Sequence, residues 1–258
     1  PSAPAREQPL ENLNSFVMSG PYDNSIVRSF GCGLDKTTNK LSCIGDNVRG
    51  QFGNGTGTSC DFNGVCDNGE TASFCSDCGS GPLSSLPRTY RSLAVGVPTS
   101  HYDNGVYYNW SAFACAITDD AGVECWGRNH RAQGGTEPGP GPFVVDKPNR
   151  IPGLAGCTAV SASDLHSCAI CDDDIYCWGD HRYGGVGAGP FTTVPISIAR
   201  KVDIELDDDH WEQLVSGLGF TCARTQKGAA YCWGFAPHGA LGTGVTSSPL
   251  PLAVTIDY

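Results

Sequence analysis

One unit occurs four times along the chain, and its period of roughly 50 residues marks a propeller or solenoid array. The copies align without gaps as Cys43-Ile-Gly-Asp-Asn-Val-Arg-Gly-Gln-Phe-Gly53, Cys125-Trp-Gly-Arg-Asn-His-Arg-Ala-Gln-Gly-Gly135, Cys177-Trp-Gly-Asp-His-Arg-Tyr-Gly-Gly-Val-Gly187 and Cys232-Trp-Gly-Phe-Ala-Pro-His-Gly-Ala-Leu-Gly242. A second cysteine precedes each copy by nine to eleven positions: Cys32, Cys115, Cys168 and Cys222. The residues between, as in Cys115-Ala-Ile-Thr-Asp-Asp-Ala-Gly-Val-Glu-Cys125, read as strand, turn, strand. Each unit is therefore expected to carry one disulfide across an antiparallel pair: Cys32 to Cys43, Cys115 to Cys125, Cys168 to Cys177 and Cys222 to Cys232.

The Trp-Gly step suits burial of a large side chain beside a residue that lets the backbone turn tightly. Trp126, Trp178 and Trp233 are read as core, and Ile44 at the same place in the first unit suggests that the position requires bulk and not indole chemistry. Strands are also expected upstream, at Cys157-Thr-Ala-Val-Ser-Ala-Ser163 before His166-Ser-Cys-Ala-Ile-Cys171, and at Gln213-Leu-Val-Ser216 before Phe220-Thr-Cys-Ala223. The short turn between the first two would bring Cys157 to Cys171.

Glycine (34) and proline (17) against a single methionine favour short strands and tight turns, so the expected class is all-β. The remaining cysteines, Cys60, Cys66, Cys75 and Cys78, bring the total to 14, an even number that points to an oxidising, extracellular compartment, secreted or at the cell surface. Asn54-Gly-Thr56 and Asn109-Trp-Ser111 are glycosylation acceptor triplets. The formal charge of −11 opposes attraction to nucleic acid or anionic membranes. No run of about 18 apolar residues suggests a membrane helix. The opening Pro1-Ser-Ala-Pro-Ala5 lacks the features of a signal peptide, so a mature soluble form is expected, with residues 1–8 as a flexible lead.

A cysteine followed by alanine, a turn, Cys-Trp-Gly and then a Gly-rich loop resembles the regulator of chromosome condensation repeat. The likeness is strongest over residues 111–135, 164–189 and 218–244, fair over 29–56 and absent in 60–82. It implies a β-propeller of four-stranded antiparallel blades, forming one domain over 1–258 that contains a cysteine-rich insert at 60–82. The family usually closes with seven blades. Four units leave two arrangements open: a small ring, with Pro249 to Ile256 completing the blade begun near Asn14 to Val17, or an open arc completed by another copy of the chain, since bare sheet edges favour association. The founding member acts on a small GTPase at chromatin, and an acidic, cysteine-paired chain departs from it, so that activity is not carried over. Secreted relatives grip other proteins through propeller faces, one of them inhibiting β-lactamases, which implies binding through loops.

Within the insert, Asp61, Asn63, Asp67 and Glu70 alternate around Gly64 like the start of a calcium loop, so calcium is possible there although no cofactor is required. The alternative is that two disulfides alone hold the insert and the acids are solvated. Four cysteines in a secreted chain oxidise before they capture zinc.

The repeat alignment also places Arg49, His130, Arg131, Arg182 and His238 in equivalent loops after the Trp-Gly step, where propeller symmetry could gather them into a patch for a carboxylate-bearing protein or a glycan. Solvated loop residues are the alternative. His130 and His238, with His181 and His166, are candidate imidazole donors for a softer metal, without a local ligand motif.

No nucleophile elbow, zinc-protease helix or phosphate loop is present, so the chain is read as a non-enzyme. The acidic run Asp203 to Asp209, followed by His210 and Trp211, reads as a solvated loop. The leading functional reading is a protein-binding module; the alternatives are a self-assembling surface or filament component, possibly binding other copies of itself, and a glycan-binding or glycan-hydrolysing propeller.

Overall fold

The turn-separated β-forming runs of the repeat fold into antiparallel strands in a computed structural model that describes residues 13–18, 30–45, 84–96, 101–103, 106–108, 113–138 and 144–254. The strands are β1 (Leu13–Met18), β2 (Phe30–Asp35), β3 (Lys40–Gly45), β4 (Ser84–Gly96), β5 (His101–Asp103), β6 (Val106–Tyr108), β7 (Phe113–Thr118), β8 (Val123–Arg128), β9 (Val144–Arg150), β10 (Cys157–Ala162), β11 (His166–Cys171), β12 (Asp174–Gly179), β13 (Ile196–Lys201), β14 (Trp211–Gly217), β15 (Phe220–Thr225), β16 (Ala230–Phe235) and β17 (Ser247–Ala253). No helix occurs among the described residues, and none is long and apolar enough to cross a membrane. The insert with Cys60, Cys66, Cys75, Cys78, Asp61, Asn63, Asp67 and Glu70, the acceptors Asn54 and Asn109, Arg49, and the lead at 1–8 lie outside the described residues.

The strands form four blades. The third is β10 to β13 and the fourth β14 to β17, each a meander of four strands in chain order. The first two share a seven-stranded sheet, because β4 pairs with β3 through Ser84, Ser85 and Thr89 and then with β7 from Tyr90 to Gly96. β4 is thus the outermost strand of the first blade and the innermost of the second. β5 and β6 form a separate hairpin.

Register repeats from blade to blade. The innermost strand of each carries a one-residue bulge at the same place, between Leu13 and Ser15, Tyr90 and Ser92, Cys157 and Ala159, and Trp211 and Gln213. In blades two to four the outermost strand runs two residues long opposite the tryptophan: Cys125 and Gly127 face Asn149 and Val145, Cys177 and Gly179 face Arg200 and Ile196, and Cys232 and Gly234 face Leu252 and Ser248. Pro148, Pro249 and Pro251 fall in these irregular stretches, where a missing N–H costs no ladder bond. Gly179, at φ 109°, has Leu165 O only 2.5 Å from where a Cβ would sit, which is why the Trp-Gly step needs its glycine.

Five disulfides join Cys32 to Cys43, Cys115 to Cys125, Cys157 to Cys171, Cys168 to Cys177 and Cys222 to Cys232 among the described residues. Four bridge the central strand pair of a blade, as the spacing suggests. The Cys157–Cys171 bridge occupies the bulge position that buried Tyr90 and Trp211 fill in the neighbouring blades.

The core is divided between neighbours. One apolar cluster joins the first and second blades around Leu34, Leu41, Tyr90 and Trp126; another joins the second and third around Phe113, Ile117, Ile151 and Trp178; a third joins the third and fourth around Ile170, Val186, Leu214 and Trp233. Among the described residues, no strands of the first and fourth blades pack together to a comparable extent. Among the described residues the four blades form an open arc.

A small ring closed by the terminal segment is therefore not the arrangement: Ser247–Ala253 pairs with β16 in its own blade, and Leu13–Met18 pairs with β2. The free face of the fourth blade shows the consequence. Val215 is exposed where its counterpart Ser161 is buried, and exposed Arg224, ion-paired with Glu212 at 2.5 Å, stands where Ile117 and Ile170 are buried.

Candidate functional site

The loops that follow Trp-Gly in blades two, three and four run from 129, 180 and 236, respectively, and share one turn. Gly135 N donates to Ala132 O at 2.9 Å, Gly187 N to Gly184 O at 2.9 Å and Gly242 N to Gly239 O at 3.0 Å. The repeat thereby sets equivalent side chains on one rim, and the next blade locks the loops of blades two and three from behind. Trp178 Nε1 donates to Gln133 O at 2.9 Å, and Trp233 Nε1 to Gly185 O at 2.9 Å. Ser167 and Thr221 hydroxyls donate to the same two carbonyls at 3.2 and 3.0 Å. The tryptophans are core, and beyond the bulk that the sequence suggests, the Trp178 and Trp233 indoles add a donor to a buried carbonyl that a neighbouring hydroxyl also serves.

His166 lies in the seam between blades three and four, at the position that Phe30, Phe113 and Phe220 hold in the other units. Its Nε2 is 2.7 Å from Thr221 Oγ1 and its Nδ1 is 2.7 Å from Ser163 Oγ. Since the Thr221 hydroxyl gives its proton to Gly185 O, it accepts from His166 Nε2–H, and Nδ1 accepts from Ser163. Burial holds the imidazole neutral and pulls its pKa down to about 4, with Asp180 lifting it slightly and His181 opposing.

On the rim, symmetry gathers two of the expected cations. Buried Asp180 accepts from Arg182 Nη2 at 2.7 Å and Nε at 2.9 Å, while Arg131 of the preceding blade places Nε 3.7 Å from the same oxygen. The Arg182 backbone N–H also donates to Asp180 Oδ1 at 2.8 Å. Burial lowers the Arg131 pKa, and the nearby Arg182 lowers it further, ahead of the lift from Asp180.

Arg182 Cζ lies 5.6 Å from the centroid of the Tyr183 ring, which stacks on Phe235 at 5.9 Å. His130 accepts at Nδ1 from Arg128 Nε at 3.0 Å and lies 3.3 Å from Gln133 Nε2, so it orders its own loop. His238 is exposed on the fourth loop. His181 is buried, with Nε2 donating to Gly189 O at 2.8 Å.

The softer-metal suggestion is corrected: among the described residues no group of three or more His, Cys, Asp or Glu could hold a metal ion, because His166, His130 and His181 are each committed to hydroxyl, guanidinium, amide or carbonyl partners. The run before Trp211 is exposed but organised: His210 pairs with Asp173, which also accepts from Trp211 N at 3.0 Å, and Lys227 reaches Asp208 at 3.3 Å.

Sequence reasoning overlooked Asp180, Tyr183 and Phe235. Their signal was present, since Asp180 and Phe235 are equivalent to Arg128, directly after the invariant Trp-Gly of the last three units, where the three side chains differ.

Residues 157–184 match the regulator of chromosome condensation repeat. The chain is similar to the ultraviolet-B receptor of Arabidopsis thaliana, with 30% identity over 50% of this chain and 29% of the receptor. It is also similar to a secretion-regulating guanine nucleotide exchange factor of Mus musculus, with 29% identity over 39% of this chain and 22% of that protein. It spans less than a third of each of these relatives. Among solved structures, yeast RCC1 (Prp20) bound to Kap60 superposes with TM-score 0.63 at 18% identity, over 88% of this chain and 47% of that one. Human WBSCR16 gives TM-score 0.61 at 18% identity, over 88% and 51%. The fold is that of a propeller built from these repeats, present here as an arc about half its length.

Proposed function

We propose that this disulfide-rich relative of the regulator of chromosome condensation repeat propellers is a non-catalytic, extracellular module that binds a protein partner through the loops after its Trp-Gly steps. The observation that carries this reading is the Arg131–Asp180–Arg182 cluster, built from loops of two blades and held at the rim by the frame behind it. A rigid scaffold with divergent loops at one rim is the arrangement that recognition favours. Yeast Prp20, which shares the fold, is described as binding Kap60, Gsp1p and histones, which supports protein binding in its coarser form. The disulfides are compatible with an oxidising setting.

Capture from the native surroundings by the immobilised chain tests this reading, with a variant changed in all three rim loops (Arg131→Ala, Phe191→Ser, His238→Ala) run in parallel. The expected result is one or more proteins retained by the native chain and lost by the variant; identical retention by both overturns it.

Self-association is the second reading, favoured by the uncovered face of the fourth blade around Val215. Light scattering at high concentration decides it, with a strict monomer against it.

A further inference from the structure

We propose that the Cys222–Cys232 bridge of the fourth blade is a thiol-exchange site, open in the folded chain to an external dithiol. The equivalent bridges of the second and third blades are shielded by the blade that follows each of them. This inference goes beyond the binding reading and does not depend on it.

The central strand pair of a blade presents its sulfurs to the next blade. In the second blade Cys115 Sγ lies 3.6 Å from Ser167 Oγ of the third, and in the third Cys168 Sγ lies 3.7 Å from Thr221 Oγ1 of the fourth. Cys115, Cys125, Cys168 and Cys177 are each 0% exposed as a result. The innermost strand shows the same cover, since Ser161, opposite Cys168, accepts at Oγ from Ser216 N of the fourth blade at 2.7 Å.

Cys222 holds the same place in the register, opposite Cys232 on β16 and Val215 on β14. Here the face that meets a neighbour in the earlier blades is bare: Val215 is 60% exposed and Arg224 is exposed. Cys222 is half-buried, and among the described cysteines it alone is not fully buried. Charge on this face does not bar an anionic thiolate, because the Glu212 carboxylate is paired with Arg224 at 2.5 Å.

A thiolate of the dithiol attacks the accessible Cys222 Sγ, the S–S bond breaks, and Cys232 leaves as a thiolate that takes up a proton. The second thiol of the reductant, also as thiolate, then attacks its partner sulfur in the mixed disulfide. Cys222 leaves as a thiolate, the reductant closes its own disulfide, and two electrons have passed to the protein. The exchange removes the cross-link between β15 and β16, while the second and third blades keep theirs.

The test treats the dilute full chain with dithiothreitol for increasing times, traps thiols with iodoacetamide and maps them by mass spectrometry. Cys222 and Cys232 are expected to be trapped about tenfold or more faster than Cys115, Cys125, Cys168 and Cys177. Hydrogen exchange should rise in β15 and β16 as they are trapped, and stay unchanged in β7 and β8.

Fraying of the fourth blade would also free these thiols, and two variants of Val215 separate the routes. Val215→Lys should speed trapping about threefold and Val215→Glu slow it about threefold, because the attacking thiolate passes the residue directly across the strand pair. Attack on an unfolded blade is far less sensitive to that sign. Both variants alter an exposed side chain and are expected to melt as the native chain does. Equal trapping rates at the three bridges overturn the proposal, as do equal rates in the two variants.

Discussion

Trp233 in the fourth blade donates its indole N–H to the backbone carbonyl of Gly185 in the third, at 2.9 Å, and Trp178 does the same one blade earlier to Gln133. The repeat is thus bonded to its neighbour by the residue that also fills the space between them. Trp233→Phe is expected to lose about 1 kcal/mol, since Thr221 still serves the carbonyl, whereas Trp233→Ala should lose about 3–5 kcal/mol through the cavity. Denaturant midpoints of the two variants separate the bond from the bulk.

Gly187 is the seat for that indole. Its φ is 69°, and an added Cβ would stand 2.5 Å from Trp233 Nε1. Gly187→Ala should destabilise by about 2–4 kcal/mol, because left-handed backbone strain adds to overpacking against a ring that is bonded in place. A thermal melt reads the loss, and an unchanged midpoint would show that the blade interface gives way easily.

The buried His166 makes stability depend on pH. The unfolded chain takes up its proton near 6.5, but the folded imidazole does so only at about 4, so stability is complete above the first value and is lost as pH falls toward the second. The loss should reach about 3 kcal/mol over that window. His166→Phe, the residue that Phe30, Phe113 and Phe220 provide in the other units, should flatten this part of the profile, while Ser163 keeps Leu165 N and Thr221 keeps Gly185 O. Denaturation midpoints measured across the window check the slope.

Replacing Cys157 and Cys171 together by serine should cost about 3 kcal/mol, from the loop of 14 residues that the bridge closes. The native-like signal in near-ultraviolet circular dichroism should survive, because blades two and four hold the same bulge with Tyr90 and Trp211 and no disulfide. Loss of that signal at low temperature would show that the third blade depends on its second bridge to fold.

Much of the fold could be read in the sequence because the repeat is marked by covalent chemistry. Cysteines at spacings such as Cys115 to Cys125 admit few geometries other than a strand pair, and the strands upstream at Cys157 and Gln213 follow from their alternation. The joined first and second blades were not legible. Pro87 within Ser84–Gly96 reads as a break, yet the strand passes through it by bulging opposite β3. The rim was half legible: alignment brought Arg131 and Arg182 to equivalent loops, but Asp180, which holds them, and exposed Phe235 occupy a position where each of the last three units has a different residue.

Local order in the chain determined the blade: which cysteines bridge, where the hairpins turn and which aromatic is buried, since each depends on residues within a few tens of positions. Only the tertiary structure decided how the blades meet. Whether the arc closes, which carbonyl an indole bonds, and that a histidine in place of phenylalanine sits neutral between two hydroxyls all depend on the stacking angle and desolvation between blades, and these are set by surfaces far apart in sequence.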